Sequence, residues 1–178
     1  MPPTTQSILR TGLIGGITLG FAVAAQRFAT SYAMQSLGLV IVIVGFSVIG
    51  LFAARDSEVK RGRDGLRVGL VTGLVAGFFV ALAYIAVNII MALDPKQVEL
   101  VRSQYPQQLA ALREVAPALA AQSLAQWNAM NAKEQAAFTQ MAFSIAACCG
   151  VAYPLMGSAL GAMGGAIAPG MFGARNEL

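Results

Sequence analysis

Long apolar runs separated by short charged segments are the main structural signal in this chain. Residues 28–54, 68–93 and 135–174 contain no Asp, Glu, Lys or Arg, and a shorter charge-free run lies between Arg10 and Arg27. A helix that crosses a membrane needs about 20 mostly apolar residues. The pattern therefore predicts four membrane spans, at residues 8–27, 35–53, 68–92 and 141–168.

These spans predict an all-α, four-helix transmembrane bundle that uses residues 1–178 as a single membrane domain. Helices are expected because the lipid interior offers backbone groups no hydrogen-bond partner outside their own segment. The last charge-free run is longer than one crossing requires, so its beginning is expected to project from the membrane. Pro154 lies inside the fourth span and is expected to kink that helix.

The first span has two interpretations. Arg10, the apolar residues 11–25 and the small residues 22–24 are also typical of a secretory signal peptide. A retained span is favoured because the segment matches the third span, and Arg27 is then expected to reach the outer membrane surface.

An offset of 57 residues aligns the first span with the third without a gap. The matched pairs include Arg10 with Arg67, Gly12 with Gly69, Gly16 with Gly73, Gly20 with Gly77 and Phe21 with Phe78. A weaker match at an offset of 120 residues pairs Gly45 with Gly165 and Gly50 with Gly170. Duplication of a helical hairpin explains the first match, giving two hairpins of parallel orientation. Convergence of glycine-rich apolar helices is the alternative, and the second match favours neither.

The basic residues predict the orientation of the spans. The loop between the second and third spans holds the basic cluster, which consists of Arg55, Lys60, Arg61, Arg63 and Arg67. Such clusters mark the cytoplasmic side and anchor the adjoining helices there. Both termini are then cytoplasmic, in agreement with Arg10 and Arg175 beside the outermost spans. Residues 94–140 form an extramembrane helical insertion on the opposite side.

The composition excludes several chemistries. Hydrophobic residues make up 57% of the chain and charged residues 11%, against about 25% in a soluble domain. The net charge of +4 lies in the loops and does not predict nucleic-acid binding. No histidine is present, which removes the commonest metal ligand, haem ligand and general base. Cys148 and Cys149 are interpreted as packing residues. We therefore expect no cofactor, no metal site and no enzymatic activity.

Glycine recurs at every fourth position in three of the spans. Residues four apart lie on one face of a helix, so each series predicts a groove through which another helix can approach closely. The grooves can pack spans within the chain, which is the favoured interpretation, or bind another membrane subunit. The ladder glycines are Gly12, Gly16, Gly20, Gly65, Gly69, Gly73, Gly77, Gly157, Gly161 and Gly165.

The insertion contains motifs that predict helix starts, and it contains apolar side chains that are expected to pack against another surface. Asp94-Pro95 predicts a helix start, and Asn131 with Glu134 predicts a capping box that begins a helix running into the fourth span. Pro106 and Pro117 are expected to break or bend the insertion into shorter helices. Its apolar stripe can pack on the membrane, on the bundle or on a partner protein. The candidate external interface is Tyr105, Leu109, Leu112 and Trp127.

The order of these features resembles a family of uncharacterised bacterial four-helix membrane proteins. The resemblance rests on Ala54-Arg55-Asp56 after the second span, the glycines of the third span, the insertion opening at Asp94-Pro95, and the last span near the C-terminus. An aromatic residue expected soon after Pro95 is missing. The resemblance implies an architecture and no activity.

The sequence favours a non-catalytic, multi-pass protein of the bacterial inner membrane. Its partners would be the lipid bilayer and either itself or other membrane subunits, for which it would serve as an accessory or scaffold subunit. The alternative is a small transporter or channel, suggested by the hairpins and by Pro154. The absence of Asp, Glu, Lys and Arg from the interiors of spans two to four weighs against that alternative. A membrane enzyme is the third and least favoured reading.

Overall fold

The computed structural model describes residues 3–26 and 32–172, and every regular element in these ranges is a helix. This confirms the predicted all-α bundle. The expectations for Arg27 and Arg175 lie outside the described residues. The helices are α1 (Pro3–Gln26), α2 (Tyr32–Asp56), α3 (Gly62–Leu93), α4 (Pro95–Leu112), α5 (Pro117–Ala129), α6 (Ala132–Cys149) and α7 (Ala152–Phe172).

Four stretches of the described chain are long and apolar enough to cross a membrane. They are Thr5–Gln26, Leu37–Asp56, Gly62–Leu93 and Ala132–Phe172. Large apolar side chains point outward from these helices, with Phe21 74% exposed and Leu155 71% exposed. Such a surface is suited to lipid rather than water. The four apolar helices indicate a membrane protein.

The chain divides into two compact units, one of residues 1–85 with 149–178 and one of residues 86–148. The first, the span unit, contains α1, α2, most of α3 and α7. Its central core surrounds Phe46 of α2, which is fully buried. The core consists of Leu19, Val23, Val42, Phe46, Ile49, Ala76 and Val80.

A helix-ending motif connects α2 to α3 in the span unit. The Val59 N–H donates to the Ala54 carbonyl at 3.3 Å, and the Glu58 N–H donates to the Arg55 carbonyl at 3.0 Å. These two bonds form a Schellman motif, which needs a left-handed residue after the helix. Glu58 takes that place with a φ of 50°. Val59 then packs against the small core of Ala53, Ala54, Val68 and Ala168, which covers the helix end with apolar side chains.

The predicted fourth span is divided where a kinked but continuous helix was expected. α6 ends at Cys149, residues 150–151 form a turn, and α7 begins at Ala152. Pro154 has no N–H to donate to the Gly150 carbonyl, and its ring would clash with that carbonyl in a continuous helix. The Tyr153 N–H donates to Gly150 instead, at 3.1 Å. Pro154 therefore lies in the first turn of a new helix, and the proline inside α7 is Pro169.

The second unit, the insertion unit, contains the end of α3 with α4, α5 and α6. The predicted start of α4 is confirmed, since the Asp94 carboxylate accepts from the Lys96 N–H at 2.9 Å and Pro95 opens the helix. Pro117 opens α5, as expected. A break at Pro106 is not found: α4 continues through it, at the cost of one backbone hydrogen bond. Leu109, in the turn after Pro106, is buried.

The predicted capping box at the start of α6 is also confirmed. Asn131 Oδ1 accepts from the N–H groups of Lys133 and Glu134, both at 3.0 Å. Glu134 Oε2 accepts from the Asn131 N–H at 2.8 Å. A small core of Met91, Val98 and Phe143 then joins the end of α3, α4 and α6 within the insertion unit.

Candidate functional site

The glycines of α3 face α7 in antiparallel register. Gly65 lies against Gly165, Gly69 against Gly161 and Gly73 against Gly157, so that each added Cβ would meet the opposite carbonyl oxygen. Gly77 continues the series, where an added Cβ would lie 2.7 Å from the Cα of Pro154. The backbones of α3 and α7 are therefore in contact along four helical turns. Any side chain at these positions would increase the separation between the two helices.

The glycines of α1 pack on a different face of α3, in parallel direction. A Cβ on Gly12 would lie 3.0 Å from Val75 Cγ1, and one on Gly16 would lie 2.7 Å from the Cα of Ala76. A Cβ on Gly20 would lie 3.1 Å from that of Ala83. The three predicted series thus lie against helices of the same chain, with α3 between α1 and α7.

The sequence analysis omitted the glycines through which α2 joins this arrangement. A Cβ on Gly50 would meet the backbone of Gly161, and one on Gly164 would meet the carbonyl of Ser47. Gly161 consequently contacts both α2 and α3. The weaker sequence match at an offset of 120 residues had included Gly50, and that was the available signal for its role.

Phe46 shows why the small residues of α7 matter for the core. A Cβ on Gly157 would lie 3.0 Å from Phe46 Cε1, so the aromatic ring rests directly on the α7 backbone. The missing side chain makes room for a large one from the neighbouring helix. The glycines of α7 therefore shape the hydrophobic core as well as the approach of α3.

The basic cluster lies together on the surface at the α2–α3 connection. All five of its members are exposed. The Arg55 guanidinium stacks over the Phe172 ring of α7, 5.2 Å from its centroid. A cation–π contact of this kind uses the face of the guanidinium and leaves its N–H donors available to water or lipid phosphate.

A cavity of about 380 Å³ lies toward the opposite end of the span unit, where α1 ends and α2 begins. The rings of Tyr84 and Tyr153 pack beside it with centroids 5.1 Å apart. The Gln26 side chain lies against Gly38. The cavity is lined by Val23, Gln26, Gly38, Leu39, Val42, Tyr84, Cys149, Ala152, Tyr153 and Met156.

The candidate external interface lies largely inside the insertion unit. Trp127 is 4% exposed and Leu109 is 7% exposed, while Tyr105 and Leu112 are half-buried. The Tyr105 ring packs on Trp127 with centroids 4.4 Å apart, and Phe138, which the sequence analysis did not select, completes an aromatic cluster. The apolar side chains that this unit exposes are others, chiefly Val115 at 85% and Leu119 at 57%.

No group of three or more potential metal-ligating side chains occurs among the described residues. Cys148 and Cys149 are both exposed. Comparison with protein-family models, with curated proteins and with solved structures gives no match. The resemblance to bacterial four-helix membrane proteins therefore stays a prediction from the sequence.

Proposed function

We propose that this protein is a non-catalytic, multi-pass protein of a bacterial inner membrane that acts as an accessory or scaffold subunit. The observation that carries the proposal is the pairing of α3 with α7 through glycine, which supports a rigid bundle with an apolar outer surface. Such a bundle is suited to holding a position in the membrane and offering its outside to another protein. Both termini and the basic cluster face the cytoplasm.

The polar groups of the spans support this proposal over transport. The hydroxyls of Thr18, Ser47 and Thr72 each donate to the carbonyl four residues earlier in the same helix, at 2.8–3.0 Å. A hydroxyl bonded in this way already donates its proton within its own helix, so it does not offer that donor to a permeating solute. Transport pathways for ions or protons usually have ionisable groups at membrane depth.

The partner surface is proposed to lie on the insertion unit and not on the glycine series, because those glycines already contact helices of the same chain. Val115 and Leu119 are exposed aliphatic side chains in a segment that we place outside the membrane. Water is a poor environment for such a pair, and a protein partner would cover them at a gain of roughly 1.5–3 kcal/mol per fully buried side chain.

Purification in a mild detergent, followed by mass analysis of the intact assembly, tests the subunit role. We expect either a homo-oligomer or a stoichiometric membrane partner, and the double substitution Val115→Ser with Leu119→Ser should weaken it. Leu100→Ser, which also removes an exposed leucine of this unit, is the matched control. A monomer with no stoichiometric companion would refute the subunit role.

Cysteine labelling tests the orientation. In a chain that carries Cys148→Ala and Cys149→Ala, the variant Ser103→Cys should react with an impermeant maleimide added outside intact cells. The variant Lys60→Cys should react only after the membrane is opened. The reverse labelling pattern would contradict the proposed cytoplasmic location of the basic cluster.

The cavity beside Tyr84 and Tyr153 favours a small transporter or channel as the second candidate function. Its volume of about 380 Å³ is within the range of small-molecule sites. Substrate-dependent flux in liposomes that contain only this protein would support transport. Flux that is unaffected by Tyr153→Leu would argue against passage through this cavity.

A further inference from the structure

A groove between α1 and α2 combines opposite charges with an apolar floor. It lies at the end of the span unit where α1 begins and α2 ends, and it encloses about 770 Å³. Its lining is Gln6, Ser7, Arg10, Thr11, Ile14, Gly15, Ile49, Phe52 and Asp56. Neither the glycine contacts nor the proposed subunit role accounts for this set of side chains.

At the floor of the groove, α1 and α2 pack closely. A Cβ on Gly15 would lie 2.6 Å from Ile49 Cγ1, so the isoleucine side chain fills the space that glycine leaves. Beside this contact, Ile14 is 54% exposed and Phe52 is 43% exposed. Two apolar side chains are thus open on the face of the groove that continues into the span region.

The mouth of the groove has unmatched polar groups. Arg10 and Asp56 are both exposed, and neither forms an ion pair with another described residue. The Ser7 hydroxyl is shielded from solvent and has no hydrogen-bond partner among the described residues. One cation, one anion and an unused hydroxyl therefore surround the same space.

We propose that this groove binds a zwitterionic glycerophospholipid with a primary ammonium headgroup, of the phosphatidylethanolamine type. The phosphate diester would accept from the Arg10 guanidinium and the Ser7 hydroxyl, and the ammonium would donate to the Asp56 carboxylate. Arginine suits phosphate because its planar fork presents two parallel donors. One acyl chain would lie along Ile14 and Phe52.

Position along the helices supports a lipid over a soluble phosphate. Arg10 directly precedes the charge-free run of α1, and Asp56 ends the apolar stretch of α2, where headgroups meet the hydrocarbon region. Basic pockets between membrane helices recognise lipid headgroups in this way. A soluble phosphate would have no use for the exposed Ile14 and Phe52. The inference rests on the membrane location and is independent of the subunit role.

Native mass spectrometry of the full-length protein in detergent, titrated with lipids of identical acyl chains, tests the proposal. Phosphatidylethanolamine should bind more tightly than phosphatidylcholine or phosphatidylglycerol. Arg10→Gln should weaken its binding by about tenfold or more, which is the worth of a charge-assisted hydrogen bond. Arg10→Lys should have a smaller effect, and Asp56→Asn should abolish the preference over phosphatidylcholine.

Matched controls lie outside the groove lining. Arg113→Gln and Asp64→Asn make the same changes of charge at exposed positions that do not line the groove, and they should leave lipid binding unchanged. Circular dichroism would verify that each variant is folded. Loss of binding in Arg113→Gln equal to that in Arg10→Gln would overturn the site in favour of general attraction to charge.

Two further results would also overturn the proposal. Equal or tighter binding of phosphatidylglycerol would show that Asp56 does not recognise an ammonium group. Competition by soluble phosphoethanolamine at the same concentration as the lipid would show that the ligand is a free anion. The mass spectra count lipid adducts on each oligomeric species separately. A monomer that binds the lipid would refute the subunit role alone, and an oligomer that does not bind it would refute the lipid site alone.

Discussion

Gly73 of α3 and Gly157 of α7 face each other with no side chain between them, and a Cβ on either one would collide with the carbonyl oxygen of the other. The pair lies in the middle of the antiparallel glycine series. Gly157 also supports the ring of Phe46, so one small residue serves two helix contacts. The stability of the span unit should therefore be most sensitive at this position.

Replacing Gly73 by leucine should destabilise the span unit by about 2 kcal/mol, because the colliding atom is backbone and can yield only if the helices separate. Thermal unfolding of the detergent-purified protein would measure the change. Gly170→Leu is the matched control, since nothing lies within 4 Å of an added Cβ there. Equal unfolding temperatures for Gly73→Leu and the unsubstituted protein would refute the close α3–α7 contact.

Replacing Glu58 by glycine should stabilise the protein by about 1 kcal/mol, because Glu58 holds a left-handed conformation that glycine adopts without steric cost. Chemical denaturation of the purified protein would measure the gain. Glu58→Ala removes the charge but keeps the Cβ, so it should give little of this effect. Equal stabilisation by both substitutions would show that the gain comes from removal of the Glu58 charge and not from relief of the left-handed conformation.

Replacing Trp127 by alanine should destabilise the insertion unit by about 3–5 kcal/mol, the usual cost of removing a large buried aromatic side chain. Unfolding followed by circular dichroism would measure it. Val115→Ala, at an 85% exposed position, should change stability by less than about 0.5 kcal/mol.

Trp127 also offers a direct test of its burial, because it is the only tryptophan in the chain. Its fluorescence should be blue-shifted and resistant to acrylamide in the folded protein. Strong quenching by acrylamide would show instead that Trp127 lies on an open surface.

Replacing Asn131 by alanine should cost about 1 kcal/mol, since two backbone N–H groups at the start of α6 lose their acceptor. The shift of the tryptophan fluorescence unfolding curve would report it. Lys133→Ala is the control within the same turn, because its side chain takes no part in the capping box. A shift as large for Lys133→Ala would show that the cap has no special role.

Local chemistry explains the success of several predictions. The starts of α4 and α6 were predictable because a cap and its partner lie within three residues of each other, so that no distant contact is needed. Charge-free length likewise predicted the four apolar helices, since hydrophobicity over about 20 residues is a property of the segment alone.

Predictions about pairing were less complete. The sequence could place glycine on one face of α3, but it could not choose between α7, another span and another subunit as the helix opposite. Leu109 and Trp127 had been assigned to an outer interface, yet they are buried on α4 and α5, where the Tyr105 and Phe138 rings help cover the indole. An apolar stripe indicates that one face of a helix is buried, but it does not indicate which surface packs against that face.

By itself, then, the sequence determined the helical class, the number of apolar helices, the caps at the starts of α4 and α6, and the positions without side chains. The tertiary structure alone decided that α3 lies between α1 and α7, that the chain turns at residues 150–151, and that Arg10 and Asp56 border one groove. The physical reason is range: capping and hydrophobicity act within a few residues or a single helix, whereas packing depends on which surfaces fit together across the whole chain.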